Sequence, residues 1–513
     1  MARLQRFLHS VASGYAVLAV NIVYTLASVP LALHYLGKEE FGLWAVALQL
    51  SGYLGLIDLG MSAALARLLI DHKDRPNDGP YGGMIQTACL VLLVQAAVIL
   101  AVGTGTSFFL GPLLHVGESF NRTFTLLMIL QAVLLAVGFA TKIFSQLLYA
   151  HHRLDIQNYS QMAQFVVSFA VLWEAFEQGA GVFSLLWASA AATVVGLATS
   201  VWACFRLRLF PASGCWGKPS WPSFRELFSY GADIFFINLG NQLIFASQAV
   251  IVTRWMGLDA AATWSVCTRL FMLACQLAWH PIEFSYSLFS EMIARGERAQ
   301  LHKQFDALVV FTLCLSVVGG TALAVCNQPF VTVWTVGKFA WPHWNDTLLG
   351  VWLVLLTVVR CNSYLIQASK QLGFLRHIFF VEGVAFVGLA FIAIRWTGFS
   401  GVLSSSILCT ALLSCIYTVW RASAYLSVTP RAAMRVWCLP ALKIAAVLIP
   451  LGLGVATLTA RLSPAMQLAI GGAVISLAGG ILLVRFALDD ELKAKVRQKL
   501  PPRLGAVFSA IAG

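Results

Sequence analysis

Of the 513 residues, 59% are hydrophobic and only 11% are charged, and the mean hydropathy is +0.79. That balance excludes a soluble enzyme or binding domain and leaves a polytopic membrane protein. The net charge of +12 then has a topological explanation rather than a nucleic-acid one, because lysine and arginine collect in the cytoplasmic loops of such chains.

A span takes about 20 apolar residues, at ~1.5 Å each across ~30 Å of hydrocarbon. Fourteen segments qualify, near 12–36, 41–70, 81–110, 122–150, 156–175, 181–205, 227–254, 261–290, 304–330, 347–372, 374–395, 400–421, 437–457 and 465–487. Weak boundaries within 156–205 and 374–421 leave the count between twelve and fourteen. With the amino terminus inside, most of the basic residues fall on that side, among them Lys73, Arg75, Arg153, Arg206, Arg208, Arg295 and Arg298. The opposite loops hold only Lys38, Arg122, Arg254, Lys338, Arg395 and Arg461, so both termini are expected in the cytoplasm. The first segment is too long for a signal peptide and has no small-residue cleavage site after it, so it stays as a helix.

In chain order, the first helix places Asn21, Tyr24, Thr25 and Ser28 on one face. The second, over 36–71, opens at Lys38, Glu39 and Glu40, contains Gly42, Gly52, Gly55 and Gly60, and carries Asp58 and Arg67. Arg67 stands four residues before Asp71, the spacing of a surface ion pair. Asp58 falls on the opposite face from Arg67 and therefore needs another partner, a proton, or a kink at Gly60. On the fourth helix Gln131, Lys142, Gln146 and Tyr149 align, and the adjacent His151 and His152 are interfacial. The stretch 206–225, with Pro211, Pro219, Pro222 and several basic residues, reads as a linker between two halves.

Beyond the linker, Asn238, Asn241, Gln242 and Gln248 cluster on the seventh helix, and Arg269, Gln276, His280, Glu283 and Ser287 share a face of the eighth. Arg360, Ser363, Gln367 and Gln371 do the same on the tenth. The outward loop 331–346 offers His343 as its one catalytic candidate, and Asn121 and Asn345 sit in outward sequons. The tail from Lys493 to Arg503 is basic enough to touch anionic lipid headgroups.

An isolated Asn, Gln or Ser in a span more often joins helices than binds a substrate. A charge is different: it costs ~2.5–3.5 kcal/mol at a helix centre and is retained mainly for pairing or transport. Arg269, Arg360, Lys142, Asn21, Asn241, Gln276 and Tyr24 are therefore the candidates for lining a substrate pathway, and Asp58 and Glu283 for coupling an ion. The eleven cysteines show no CxxC pair and no histidine at zinc spacing, so neither a metal nor a disulfide is expected, and no cofactor or catalytic constellation is read.

At an offset of 220 residues Asn21 falls on Asn241, Gly37 on Gly257, Trp44 on Trp264, Val46 on Val266 and Leu50 on Leu270. The fold class expected is thus all-α, a polytopic membrane protein of about 14 helices, with two six-helix lobes in a pseudo-two-fold repeat and two further helices. The divisions are an amino-terminal lobe at 1–210, a basic cytoplasmic linker at 211–226, a second lobe at 227–425, two additional helices within 426–490 and a cytoplasmic tail at 491–513. Two such lobes are expected to enclose a central cavity.

The stretch LGKEEFGLWAVALQLSGYLGLIDLGMSAALAR resembles the polysaccharide-transport, or oligosaccharide flippase, branch of the superfamily that also holds the multidrug and toxic compound extrusion transporters and the lipid II flippase. The likeness lies in a glycine-bearing turn, Phe-Gly-Leu-Trp, then Leu-Ile-Asp-Leu-Gly followed by an arginine, and is strongest over 15–75. It implies movement of undecaprenyl-diphosphate-linked saccharides from the cytoplasmic to the periplasmic leaflet of a bacterial inner membrane by alternating access. The implied partners are the lipid-linked saccharide, membrane lipids, and a polysaccharide polymerase or glycosyltransferases, with no nucleic acid. The second lobe departs from the pattern, with Ala278 where the repeat places Asp58, which shifts any acid role there to Glu283. A drug or cation exporter of the same fold is the competing reading, and a membrane-embedded polysaccharide-processing enzyme a more distant one.

Overall fold

The computed structural model describes residues 2–72, 77–114, 117–151, 153–369, 371–488 and 493. Among them every regular element is helical, and twelve helices are long and apolar enough to cross a membrane. The loop with Lys73 and Arg75, His152, and the tail beyond Lys493 lie outside the described residues, as do the side chains of Arg67, Asp71 and Ser287.

The chain forms two compact units, residues 1–262 and 263–513. The first contains α1 (Ala2–Tyr35), α2 (Lys38–Leu54), a 3₁₀ turn (Gly55–Asp58), α3 (Met61–His72), α4 (Pro80–Leu113), α5 (Glu118–Ala140), α6 (Lys142–Ala150), α7 (Leu154–Glu177), α8 (Phe183–Arg206), α9 (Trp221–Met256) and the start of α10 (Leu258–Cys267). Its helices pack mainly as neighbours in sequence, α4 on α5 and α7 on α8, while α1 lies on α7 and α9 reaches back to α2 and α3. A core of Leu65, Leu69, Ile85, Leu147 and Leu148 ties α3, α4 and α6 together. The stretch 211–226 belongs to this unit: the backbone of Trp216 and Lys218 lies against Gly82 and Gly83 at the start of α4. It ends in a helix cap, Ser220 accepting from the Ser223 amide at 3.3 Å.

The second unit runs through α11 (Arg269–Arg295), α12 (Arg298–Trp334), α13 (Trp344–Ala368), α14 (Leu375–Thr397), α15 (Phe399–Cys409), a π-helical turn (Thr410–Cys415), α16 (Ile416–Tyr425), α17 (Pro430–Thr459) and α18 (Pro464–Phe486). Here α12 is the centre, packed on α11, α13, α17 and α18. Phe305 meets Trp437 edge to face at 5.8 Å, and the Trp437 indole donates to Asp306 at 2.7 Å, which fastens α17 to α12.

Three spans read as single helices are broken. The segment 41–70 divides at Gly55–Gly60, 122–150 divides at Thr141, and 261–290 divides at Thr268. Gln131 is therefore on α5 while Lys142, Gln146 and Tyr149 are on α6, so the stripe expected along one straight helix does not exist. Hydropathy fixes only how many apolar residues follow one another, and a one-residue change of backbone conformation leaves that count unchanged. The helices α7 and α11 are as long as the others, but their composition keeps them outside the twelve. The two sequons are closed by packing: Asn345 is fully buried and accepts from the Ser400 hydroxyl at 2.6 Å, and the Asn121 carboxamide lies against Gly111.

Candidate functional site

Among the described residues, each unit has a lysine or arginine of one helix paired with a carboxylate of another. In the first, the 3₁₀ turn that follows α2 cannot continue past Asp58, because Leu59 takes a left-handed conformation (φ 50°) and Gly60 follows at φ 71°. A left-handed non-glycine residue costs roughly 1–2 kcal/mol, so packing must hold it. That packing is a backbone contact: a side chain on Gly60 would run into the Gly231 carbonyl of α9. The Gln95 amide of α4 donates to the Asp58 carbonyl at 2.9 Å and braces the turn.

The break presents Asp58 to the start of α3, where its carboxylate accepts from the Ser62 amide at 3.3 Å and from the Ser62 hydroxyl. Its charge is met by Lys142, whose Nζ is 3.2 Å away. Lys142 reaches it because α5 ends at Thr141 and α6 starts afresh, and its ammonium also lies 4.6 Å from the centre of the Phe139 ring. Asp58 thus has both a kink at Gly60 and a partner, and Lys142, expected to face a substrate, is that partner.

In the second unit, Glu283 of α11 meets Arg360 of α13, with Nη2 to Oε1 at 2.9 Å. The guanidinium rests between two rings, 5.0 Å from that of Trp279 and 4.9 Å from that of Tyr364. The Tyr364 hydroxyl reaches the same carboxylate oxygen at 3.5 Å, and His280 stands 3.7 Å from the other. Pro281 lies inside α11 between His280 and Glu283 and has no amide to donate to the preceding turn. Arg360 keeps one buried donor, Nε, without an acceptor.

Against the 220-residue offset the acid of the second unit lies five residues late and the base two residues early. The position that the offset assigns to the acid, Ala278, is buried. In both units the pair is neutral overall, a base of the pathway candidates set against an acid of the ion-coupling candidates.

The other candidates divide. The Tyr24 hydroxyl is 3.1 Å from that of Ser168, and its ring packs on Phe165 and Phe169, so it joins α1 to α7. Asn21, Asn241 and Arg269 are half-buried, and Gln276 is exposed on α11. Arg269 begins α11 immediately after the break at Thr268. Two buried acids of the second unit escape the sequence reading. Glu382, in the middle of α14, accepts from the Thr410 hydroxyl at 2.9 Å at the π-helical turn. A charge in mid-span is the signal that finds it. Asp346 falls one residue before the span read at 347–372 and is thereby mistaken for a loop residue.

This architecture is that of a multi-pass membrane protein, with an interhelical ion pair described in each of its two units. An inward-facing multidrug resistance MATE family transporter of the MOP superfamily superposes with a TM-score of 0.64 at 15% identity, over 79% of this chain and 94% of that one. The outward-facing form of a MATE family transporter gives 0.56 at 16% identity, over 82% and 95%. A MOP superfamily transporter from Pyrococcus furiosus, described as having a binding pocket of reverse polarity that suggests a different function, gives 0.59 at 14% identity, over 83% and 96%. These likenesses establish the MOP fold. Among proteins of curated function, none matches this sequence. The model of the polysaccharide biosynthesis protein family matches residues 11–292, more than half of the chain, and the protein belongs to that family.

Proposed function

We propose that this protein flips a polyprenyl-diphosphate-linked oligosaccharide across the bacterial inner membrane by alternating access, for export or assembly of a cell-surface polysaccharide. The observation that carries the reading is membership of a polysaccharide biosynthesis family on a fold shared with MOP transporters. Both termini lie in the cytoplasm in this reading, on the basic side of the loops.

The ion pairs supply the chemistry. A diphosphate is a stronger, bidentate acceptor for a guanidinium than a single carboxylate oxygen. Arg360 is held for it by Trp279 and Tyr364, with the Nε donor still to be satisfied. Glu283 occupies the place of the phosphate until the substrate displaces it. Lys142 offers a point charge of the same sign in the first repeat, with Asp58 as its occupant. Arg269 adds a third cation, and Asn21, Asn241 and Gln276 supply neutral donors and acceptors for sugar hydroxyls. The break at Gly55–Gly60 is the bend that alternation uses.

A cation exporter of the same fold is the competing reading. It needs net negative charge where the cation rests, and here Asp58 and Glu283 are each answered by a base, while Glu382 is closed in against the Thr410 hydroxyl. The test is a strain lacking the gene. Surface glycan falling while intact lipid-linked oligosaccharide accumulates supports the flippase. Unchanged glycan with raised sensitivity to cationic compounds supports the exporter.

A further inference from the structure

Outside both ion pairs, Asp346 stands in the first turn of α13 with no exposed surface, against an equally buried Asn327 of α12. Its Oδ1 accepts twice, from Asn327 Nδ2 at 2.6 Å and from the Trp341 indole at 2.9 Å. The other hydrogen of Asn327 Nδ2 goes to the Cys267 carbonyl at 3.0 Å. The three N–H bonds that the amide and the indole possess are thereby made. Two oxygens of the same cluster, Asp346 Oδ2 and Asn327 Oδ1, are buried with no hydrogen-bond donor among the described residues.

A carboxylate in this setting is expensive, since burial without a counter-charge is what drives such groups to neutralise. Trp264, Trp341 and Phe399 stand 5.9–6.0 Å from one another beside it and make the surroundings apolar. A carboxylic acid and a primary amide face each other in a ring of two hydrogen bonds, N–H to C=O and O–H to C=O. Half of that ring is in place as Asn327 Nδ2 to Asp346 Oδ1. One proton on Oδ2 supplies the other half and answers both orphaned oxygens at once. Among the described residues the basic group beside Oδ2 is His343, with Nδ1 at 4.0 Å and a side chain 76% exposed.

We propose that Asp346 is a buried proton-binding site, its proton held on Oδ2 against Asn327 Oδ1 and exchanged with solvent through His343. In the exchange the His343 imidazolium gives its Nδ1 proton to Oδ2, becomes neutral, and is reprotonated from water; discharge runs the reverse way. The titratable groups facing the site are His343, from the turn before α13, and Cys267, from α10. The neighbouring α12 and the 335–341 stretch bring the neutral Asn327 and Trp341, and α15 brings Phe399 and Ser400. The location of the proton is independent of what the protein carries. Its use as a coupling ion rests on the transport reading above.

The test is infrared difference spectroscopy on the purified full chain in lipid, between mildly acidic and alkaline buffer. A protonated-carboxyl C=O band is expected in the wild type and is lost in Asp346→Asn, while any band from Glu382 persists. Asp346→Asn mimics the neutral acid and is expected to keep wild-type thermal stability. His343→Ala, an exposed change, is expected to keep the band but slow its response to a pH jump by about tenfold or more. No carboxyl band assignable to Asp346, or an Asp346→Asn variant that fails to fold, overturns the proposal by showing that the ionised form is the structural one. Stabilisation by sodium over choline at fixed pH and ionic strength, removed by Asp346→Asn, overturns it in favour of a metal cation.

Discussion

The two ion pairs, one in each unit, are built in different ways. Asp58–Lys142 is assembled from helix ends: a 3₁₀ turn delivers the acid, a fresh helix start delivers the base, and Ser62 takes two further contacts. Glu283–Arg360 is made between two continuing helices, with the arginine lying on aromatic faces. The acid of the first pair is 18% exposed and that of the second 34%. A carboxylate pinned by a helix terminus is hard to displace, whereas one held by an arginine and a tyrosine is open to exchange. Within the proposed function, the contrast makes the second pair the readier to open to the substrate, and the first, which also holds the bend, the harder one.

The largest expected effect follows from that division. Arg360→Gln should abolish export while the protein still reaches the membrane, and Arg360→Lys should restore little, since an ammonium neither forks nor stacks as a guanidinium does. Surface glycan measured at matched protein levels checks this, and full export by the lysine variant would erase the contrast. Gly60→Ala should be nearly as damaging for a different reason. The positive φ adds roughly 1–2 kcal/mol of strain, and the new methyl meets the Gly231 carbonyl. The expected outcome is a shorter half-life of the folded protein in detergent.

Lys142→Met should come next. It leaves Asp58 with Ser62 alone, at a cost of about 1–3 kcal/mol for a charge that keeps some solvent contact. Asp58→Asn in the same chain should recover most of that stability, and a double-mutant cycle on thermal inactivation measures it. If the pair instead meets substrate, the double variant will be stable and silent in export.

The smallest effect is expected at Arg153–Asp155, a bidentate pair with both contacts at 3.0 Å, at the edge of α7. Partial burial pushes the Asp155 carboxyl up, but the Arg153 hydrogen bonds and charge outweigh this and hold it below its ordinary value. A lowered carboxyl stabilises the fold above the unfolded-state pKa of about 3.9 and loses that contribution as pH falls through the lower folded value. With both side chains partly solvated, Arg153→Ala should cost under about 1 kcal/mol near neutrality and nothing in strong acid.

Much of this was legible in the sequence for identifiable reasons. The all-helical, many-span character comes from hydropathy, which the bilayer enforces on every helix. Asp58, Lys142, Glu283 and Arg360 are visible because a charge inside a span demands an explanation. Their pairing is not visible: Asp58 and Lys142 are 84 residues apart, Glu283 and Arg360 77, and periodicity relates only residues on one helix. The left-handed Leu59 leaves no trace in hydropathy, although Gly60 beside it marks the bend. Asp346 was lost to a boundary misplaced by a few residues, where apolar character fades at the end of every span.

The central claim is that Glu283 holds Arg360 for an anionic headgroup. It is tested most directly in proteoliposomes, by following a labelled polyprenyl-diphosphate saccharide from one leaflet to the other with wild-type protein, Arg360→Gln and Glu283→Gln. The account predicts translocation by the wild type, none by Arg360→Gln, and tighter binding of the diphosphate by Glu283→Gln, which no longer competes for the guanidinium. Translocation by Arg360→Gln at the wild-type rate would contradict it and leave Glu283–Arg360 as a structural pair.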